Sequence, residues 1–208
     1  MVGRLDELRQ ELMHRLLLVT AAALFAVACR DGQAADNSMP GRTVVDSIRP
    51  PAEATARFVR GLPAVSSLEG GAPTAGALVS QIADAVARAD TARLERTIVT
   101  QAEYGHLYYP SSVFTQKPYE LAPDIAWLLN SEANAKGKRR LLDRLGGKQV
   151  RFARLTCGHP MKEGENTIRR ECTVEVSAAR GAPVRLKLFH SLIEREGHVK
   201  ILSLSGDY

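Results

Sequence analysis

The sequence has few of the residues and motifs on which metal and cofactor chemistry depend. It contains three cysteines and five histidines, and no two histidines have the spacing of a pair of metal ligands. Gly70–Gly71 is not part of a strand–loop–helix unit that would hold a phosphate. Ser66–Ser67 and Ser111–Ser112 lack the sharp strand-to-helix turn that presents a nucleophilic serine. The sequence therefore predicts no cofactor and no metal site.

The apolar run near the N-terminus is too short to cross a bilayer. It covers thirteen residues from Leu16 to Ala28, interrupted only by Thr20, whereas a membrane-spanning helix needs about 20. The length matches the apolar segment of a secretory signal, which has about 7–15 residues. The alternative, an internal core helix, would need a polar face, and the run has none.

The end of this run carries a motif that indicates lipidation. Leu24 to Cys29 reads LFAVAC, which resembles the lipobox of bacterial lipoproteins, where small residues precede an invariant cysteine. The resemblance implies cleavage before Cys29 and a lipid on its thiol that holds the chain on a membrane of the cell envelope. Arg30, in place of aspartate, implies the outer membrane by the enteric sorting rule. A start at Met13 would give a more compact signal peptide. The alternative to lipidation at Cys29 is a secreted chain without lipid.

Composition divides the chain into three parts. Residues 1–28 are the expected signal peptide, residues 29–74 are rich in Gly, Pro, Ser and Ala and are expected to form a flexible tether, and residues 75–208 form the domain. A short helix at 51–59 could place Phe58 and Val59 against the domain.

The remaining cysteines, Cys157 and Cys172, are expected to form a disulfide bond. An even pair in an oxidising compartment favours a bridge, which here would close a turn-rich loop between two strands. A metal site that adds His159 is the alternative, but three ligands at this spacing match no zinc pattern well.

Helical patterns dominate the domain up to Gly147. Apolar residues at three- and four-residue spacing begin near Ala75. Asp90 can cap a second helix, Thr100 with Glu103 forms a capping box for a third, and Pro123 suits the first turn of another. A further helical segment ends at Gly146–Gly147.

After Gly147 the apolar period changes from 3.6 to 2, which predicts four antiparallel strands linked by hairpins. The phase slips at Leu155, which indicates a bulge. Residues 168, 170, 172, 174 and 176 are expected to share one face, and His190 is expected to point inward with Leu186, Leu188 and Leu192. Helices followed by strands indicate an α+β fold in which helices cover one face of a curled sheet.

The order of elements, from DAVARADTARLERTI (84–98) to GHVKILSLSG (197–206), resembles the nuclear transport factor 2-like superfamily. The resemblance covers residues 75–208 and implies a cone with an apolar cavity. The chain departs from the superfamily where a hairpin often precedes Gly147, because it has a proline-bearing loop at 110–122 instead. The cone would place six side chains at a candidate ligand pocket: Tyr104, Tyr108, Tyr119, Asp124, Trp127 and His190.

Basic residues are concentrated between Lys136 and Arg154, and the net charge is +5. This pattern can mark a nucleic-acid surface, but an exported protein seldom meets nucleic acid, so none is expected as a partner. A solvated helix face, or attraction to anionic lipid and envelope polymers, accounts for the charge.

Two functions follow from these features. The first is a lipid-anchored envelope protein whose domain binds a small apolar ligand or an envelope protein without catalysis. The second, which the superfamily resemblance implies, is an isomerase- or hydrolase-like enzyme that would use Asp124, Tyr104 and His190 in the cavity. A homodimer through an open sheet face with Arg185, Lys187, Phe189 and Ile193 is a further expectation, by analogy of fold alone.

Overall fold

The computed structural model describes residues 49–178 and 182–204. Ile48–Tyr208 forms one compact unit, and the predicted signal segment and Cys29 lie outside the described residues. The unit includes residues 49–74, which the sequence analysis assigned to the tether, because Leu68 and Ala72 are fully buried. Since both core clusters of the described chain are built from this unit, we expect it to fold without residues 1–47.

Five α-helices precede the sheet in the described part of the chain. They are α1 (Pro51–Phe58), α2 (Ala75–Ala87), α3 (Thr91–Arg96), α4 (Gln101–Glu103) and α5 (Pro123–Leu145). The predicted caps are confirmed: Asp90 accepts a hydrogen bond from the Arg93 amide at 2.8 Å, and Thr100 with Glu103 forms a complete capping box. Short polar side chains at these positions satisfy amides that a helix leaves unpaired at its start.

The long helix α5 joins two segments that the sequence suggested were separate. It begins at Pro123, as predicted, and runs without a break through 23 residues to Leu145. Asn134 and Gly137, which interrupt the apolar pattern, lie on its buried side. Asn134 donates a hydrogen bond to the Leu202 carbonyl at 3.2 Å and accepts one from the Leu204 amide at 2.7 Å, so a polar residue fixes the helix against the sheet.

The sheet is antiparallel and has five strands, one more than predicted. They are β1 (Val150–Thr156), β2 (Met161–Glu163), β3 (Asn166–Ala178), β4 (Val184–Arg195) and β5 (His198–Leu204), in the order β1-β3-β4-β5 with β2 also paired to β3. The additional strand β2 arises because the segment after Cys157 turns tightly at Gly164 and pairs with the start of β3. β1 has a bulge, as predicted, but it lies between Phe152 and Arg154 and not at Leu155.

The predicted alternation of faces is wrong in the middle of the sheet. The β3–β4 register shifts after Cys172: Cys172 lies opposite Phe189, whereas Val174 lies opposite Leu186, so β4 has one more residue than β3 in this interval. Glu171 has a left-handed φ of 53°, and the β4–β5 register also shifts on both sides of Ser191. These neighbouring irregularities in β3, β4 and β5 change which side chains point inward, because a slip of one residue exchanges the two faces of a strand.

Two clusters of buried side chains form the core. The first packs α2 and part of α5 against β3, β4 and β5, and it includes Cys172, Phe189 and Leu192. The second packs the segment around Tyr104 against another part of the sheet, and it includes Ile168 and Ile193. The sheet therefore contributes to two cores, whereas the sequence predicted one covered face. Phe189 and Ile193, expected on an open face, are buried.

The predicted disulfide bond between Cys157 and Cys172 is present. Thr156 pairs with Thr173 at the end of β1, so the next step along both chains brings Cys157 opposite Cys172. The bond therefore joins the chain that leaves β1 to the neighbouring strand β3.

Candidate functional site

Three of the six predicted pocket residues come together, but as part of a packed core. The Tyr104 ring lies 5.2 Å from the Tyr108 ring and 5.2 Å from the Trp127 ring, measured between centroids. Tyr104 and Tyr108 are almost fully buried, and Trp127 is half-buried. These tilted contacts are the arrangements that aromatic rings favour when they pack.

A short π-helical turn produces this packing. Residues Tyr104–Tyr108 continue α4 as a π-helix, in which the Tyr109 amide bonds to the Tyr104 carbonyl five residues earlier. The wider turn brings Tyr109 towards the side already occupied by Tyr104 and Tyr108, so all three tyrosines are buried. Tyr109 was not among the predicted pocket residues, because α-helical spacing places it on another face. Its hydroxyl donates to the Leu121 carbonyl at 2.8 Å.

The other three predicted pocket residues lie at the surface. Tyr119 is 63% exposed and contacts Phe114 edge to face at 6.4 Å. Asp124 is exposed in the first turn of α5, where the helix dipole favours an acid. His190 is exposed because the chain irregularity at this point of β4 turns Phe189 inward in its place. The structure therefore does not bring Asp124 and His190 into a common site with Tyr104.

A buried polar group adjoins the tyrosines. Glu163 on β2 is 7% exposed and accepts a hydrogen bond from Arg170 at 2.7 Å, whereas its second oxygen has no partner among the described residues. Burial raises the pKa of Glu163, and Arg170 opposes the rise. Burial also raises the pKa of the Tyr108 hydroxyl, and the nearby Glu163 adds to that rise.

The backbone next to this group is held by side-chain hydrogen bonds. Asn166 donates to the Leu107 carbonyl at 2.7 Å, and the Ser111 hydroxyl donates to the Glu163 carbonyl at 3.0 Å. A Cβ placed on Gly164 would lie 2.7 Å from the Ser111 Cβ. These contacts join the β2–β3 turn to the tyrosine segment. Because the Glu163 carboxylate is buried, Glu163 and its partners act as a structural link. A catalytic base must instead reach a substrate proton within about 3 Å.

A second ion pair, between β5 and α4, is more deeply buried than Glu163 and Arg170. Lys200 on β5 and Glu103 on α4 are only 2% and 1% exposed, and the Lys200 Nζ lies 2.9 Å from Glu103 Oε2. Glu103 also accepts from the amides of Glu69 at 2.8 Å and Thr100 at 2.7 Å, while Lys200 donates to the Glu69 carbonyl at 3.1 Å. The sequence predicted the capping role of Glu103 but gave no sign of its partner, which is 97 residues away.

A cleft of about 260 Å³ opens beside Glu69. Its lining residues come from the segment before α2, from α2 itself and from α3: Gly70, Gln81, Arg93, Arg96 and Thr97. Arg93 forms an ion pair with Asp84 at 3.5 Å. The described residues contain no group of three His, Cys, Asp or Glu side chains able to hold a metal ion.

The outer face of α5 combines exposed apolar side chains with exposed basic ones. We use the name "outer face" for the exposed residues of α5 that recur every three or four positions. In the first two turns they are apolar: Ile125 is 44% exposed, Leu128 53% and Leu129 59%. In the last three turns the same face carries exposed Lys136, Arg139, Arg140 and Asp143. One face of the helix therefore changes from apolar to mainly basic between Ile125 and Arg140, which are about 22 Å apart along the axis at 1.5 Å per residue.

Residues 49–178 and 182–204 include no helix that has both the length and the apolar composition needed to span a membrane. Comparison of the chain with family models, with curated proteins and with solved structures found no match.

Proposed function

We propose that the protein is a lipid-anchored protein of the cell envelope whose domain acts as a non-enzymatic docking module, with the outer face of α5 as its working surface. The observation that carries the proposal is the row of Ile125, Leu128 and Leu129, each close to half exposed or more. Apolar side chains that stay grouped in solvent mark interaction sites more often than ordinary surface.

The fold supports this choice over a small-molecule pocket of aromatic residues. Tyr104 and Tyr108, which were predicted to line a pocket, pack the second core cluster instead. Of the six large hydrophobic side chains that are exposed in the described residues, three lie on α5. Because α5 is fixed by Asn134, Ala126 and Leu141 on its inner side, its outer face is a rigid, preformed surface. Preformed surfaces lose less entropy when they bind.

Catalysis by Asp124, Tyr104 and His190 has no support from these positions. Both Asp124 and His190 are exposed on different elements, and Tyr104 is sealed in the core. Glu103 and Lys200 are both buried and bond to each other and to backbone groups, and the buried carboxylate of Glu163 pairs with Arg170, which is 33% exposed. We therefore do not propose an enzymatic role.

Two measurements test the two parts of the proposal. Intact mass spectrometry of protein extracted from membranes should show an acylated chain that begins at Cys29, and a Cys29→Ser variant should lack the lipid. An unmodified Cys29 in the membrane-extracted protein would remove the anchor from the proposal.

The docking surface is tested by site-specific photocrosslinking in cells. A benzophenone amino acid at Leu128 should give one defined adduct, whether to a protein or to lipid. The same probe at Val184, which is 54% exposed on β4, is the matched control and should give none. Equal crosslinking at both positions would show that α5 is not a selective surface.

A further inference from the structure

The outer face of α5 has two chemically different halves. The half nearer its N-terminus presents Ile125, Leu128 and Leu129, and Tyr119 in the loop before the helix is also exposed. In the half nearer the C-terminus, residues 136–145 contain five basic side chains and one acidic side chain. A partner must therefore accept apolar groups at one end of the face and offer negative charge at the other.

The basic half is only partly neutralised within the protein. Lys138 pairs with Glu95 of α3 and Arg140 also has an interaction within the protein, so neither is counted as a free charge. Lys136 and Arg139 are exposed, and neither has an ion-pair partner among the described residues. Glu132 lies before the last three turns of α5, and those turns contain Asp143 against exposed Lys136, Arg139 and Arg144. A positive potential remains along the last three turns of α5.

We propose that the outer face of α5 docks on the surface of a bilayer that contains anionic lipids. This inference rests on the docking role proposed above and names its partner. Leu and Ile side chains of an interfacial helix enter the boundary between headgroups and acyl chains, while Lys and Arg side chains reach the headgroup phosphates. Tyrosine is also enriched at this depth, because its ring is apolar and its hydroxyl is polar.

The length of chain before the domain agrees with this partner. Twenty peptide steps separate Cys29 from Arg49, and a fully extended chain covers at most about 3.6 Å per residue. Whatever its conformation, this segment keeps the domain within about 70 Å of the anchored cysteine. A tethered surface meets the bilayer at a high effective concentration, so individually weak contacts suffice to hold it there.

A second copy of the chain fits the outer face less well. Two antiparallel α5 helices would place the apolar half of each against the basic half of the other, and two parallel helices would place the basic halves together. Pairing of the apolar halves alone would bury three side chains from each copy, whereas a stable dimer buries about 800 Å² per partner. A bilayer imposes none of these conflicts, because it supplies acyl chains and phosphates side by side.

The test uses residues 48–208, the compact unit, so that neither the lipid nor the apolar segment before Cys29 contributes. Sedimentation with phosphatidylcholine vesicles is compared with sedimentation with vesicles that also contain phosphatidylglycerol. We expect the partition coefficient to be at least about tenfold higher with phosphatidylglycerol, and to fall when salt is raised because screening weakens the basic half.

Paired variants separate the two halves of the face. Leu128→Ser with Leu129→Ser, and separately Lys136→Gln with Arg139→Gln, should each lower binding to the anionic vesicles about tenfold. The matched controls make equal changes elsewhere on the surface, Met161→Ser with Val184→Ser and Arg151→Gln with Arg154→Gln. They should bind as the unchanged chain does, and circular dichroism should show that all four are folded.

Three outcomes would overturn the inference. The first is equal binding to both kinds of vesicle, and the second is an equal loss with the Arg151 and Arg154 control. The third is a concentration-dependent dimer, seen by native mass spectrometry, that the Leu128 and Leu129 changes abolish. Failure of vesicle binding together with a protein adduct at Leu128 in cells would refute the bilayer as partner and leave the docking role standing. An unmodified Cys29 would remove the anchor and, with it, the effective concentration that the tether gives to the docking surface.

Discussion

The buried pair of Lys200 and Glu103 gives the sharpest prediction about stability. Breaking a buried ion pair by removing one partner costs about 3–5 kcal/mol, because the remaining charge is left uncompensated. In Lys200→Met, Glu103 keeps the two backbone donors of Glu69 and Thr100. We therefore expect a loss of about 3 kcal/mol, at the low end of that range.

Removing the carboxylate of Glu103 should lower the free energy of unfolding more than removing the ammonium of Lys200. In Glu103→Gln, the buried ammonium of Lys200 keeps only a neutral carbonyl at Glu69 and an amide oxygen, and the new amide nitrogen faces a backbone donor. A loss near the upper end, about 5 kcal/mol, is expected. The double variant contains no buried charge, so its loss should fall short of the sum of the two by at least about 2 kcal/mol.

Urea unfolding followed by circular dichroism measures these differences. The matched control is Arg185→Met with Glu175→Gln, an ion pair in which Arg185 is 76% exposed, and it should change the free energy of unfolding by less than about 1 kcal/mol. If Lys200→Met stays within about 1 kcal/mol of the unchanged chain, as an exposed pair would, the pair is not sequestered and the argument fails.

Three further predictions concern the disulfide, a glycine and a buried acid. Replacing both Cys157 and Cys172 by serine should lower the free energy of unfolding by about 3 kcal/mol, and reductant should then have no further effect on the urea midpoint. Gly164→Ala should destabilise the fold more than Gly197→Ala: both have positive φ, but only at Gly164 would the new Cβ meet a neighbour within 4 Å. Equal thermal shifts for the two alanine variants would contradict the close approach at Gly164. Because burial raises the pKa of Glu163, its stability contribution is fully present below the unfolded pKa and declines as pH rises through the folded pKa. Unfolding of the Glu163→Gln variant between acidic and neutral pH should lack that decline, and an unchanged pH profile would show that Glu163 titrates normally.

Local signals in the sequence predicted many of the elements. The caps at Asp90 and Thr100, the start of α5 at Pro123 and the pairing of Cys157 with Cys172 depend on residues close in sequence or on a count of cysteines. Such features have a local physical cause, because a cap satisfies amides within one turn and a proline fixes its own φ.

The features that the sequence did not predict depend on distant contacts or on single-residue irregularities. Two local irregularities, the wider π-helical turn at Tyr104–Tyr108 and the left-handed Glu171, change the direction in which neighbouring side chains point. A regular spacing of apolar residues does not reveal either of them. Lys200 was unexpected because a lysine within a strand normally faces solvent. The prediction of the pocket was wrong for the same reason. The register shifts in β4 turn His190 outward, and the π-helical turn that begins at Tyr104 packs the tyrosines into the core.

The hydrogen bonds around Glu69 have a mechanical consequence. Its amide and its carbonyl are both held, by Glu103 and by Lys200, shortly before the chain enters α2. A pull from the N-terminal side therefore meets Phe58, Val65 and Leu68 of the second core first, then this clasp, and only afterwards the first core. We expect α1, which has no fully buried residue, to peel away under load while everything beyond Glu69 keeps its shape.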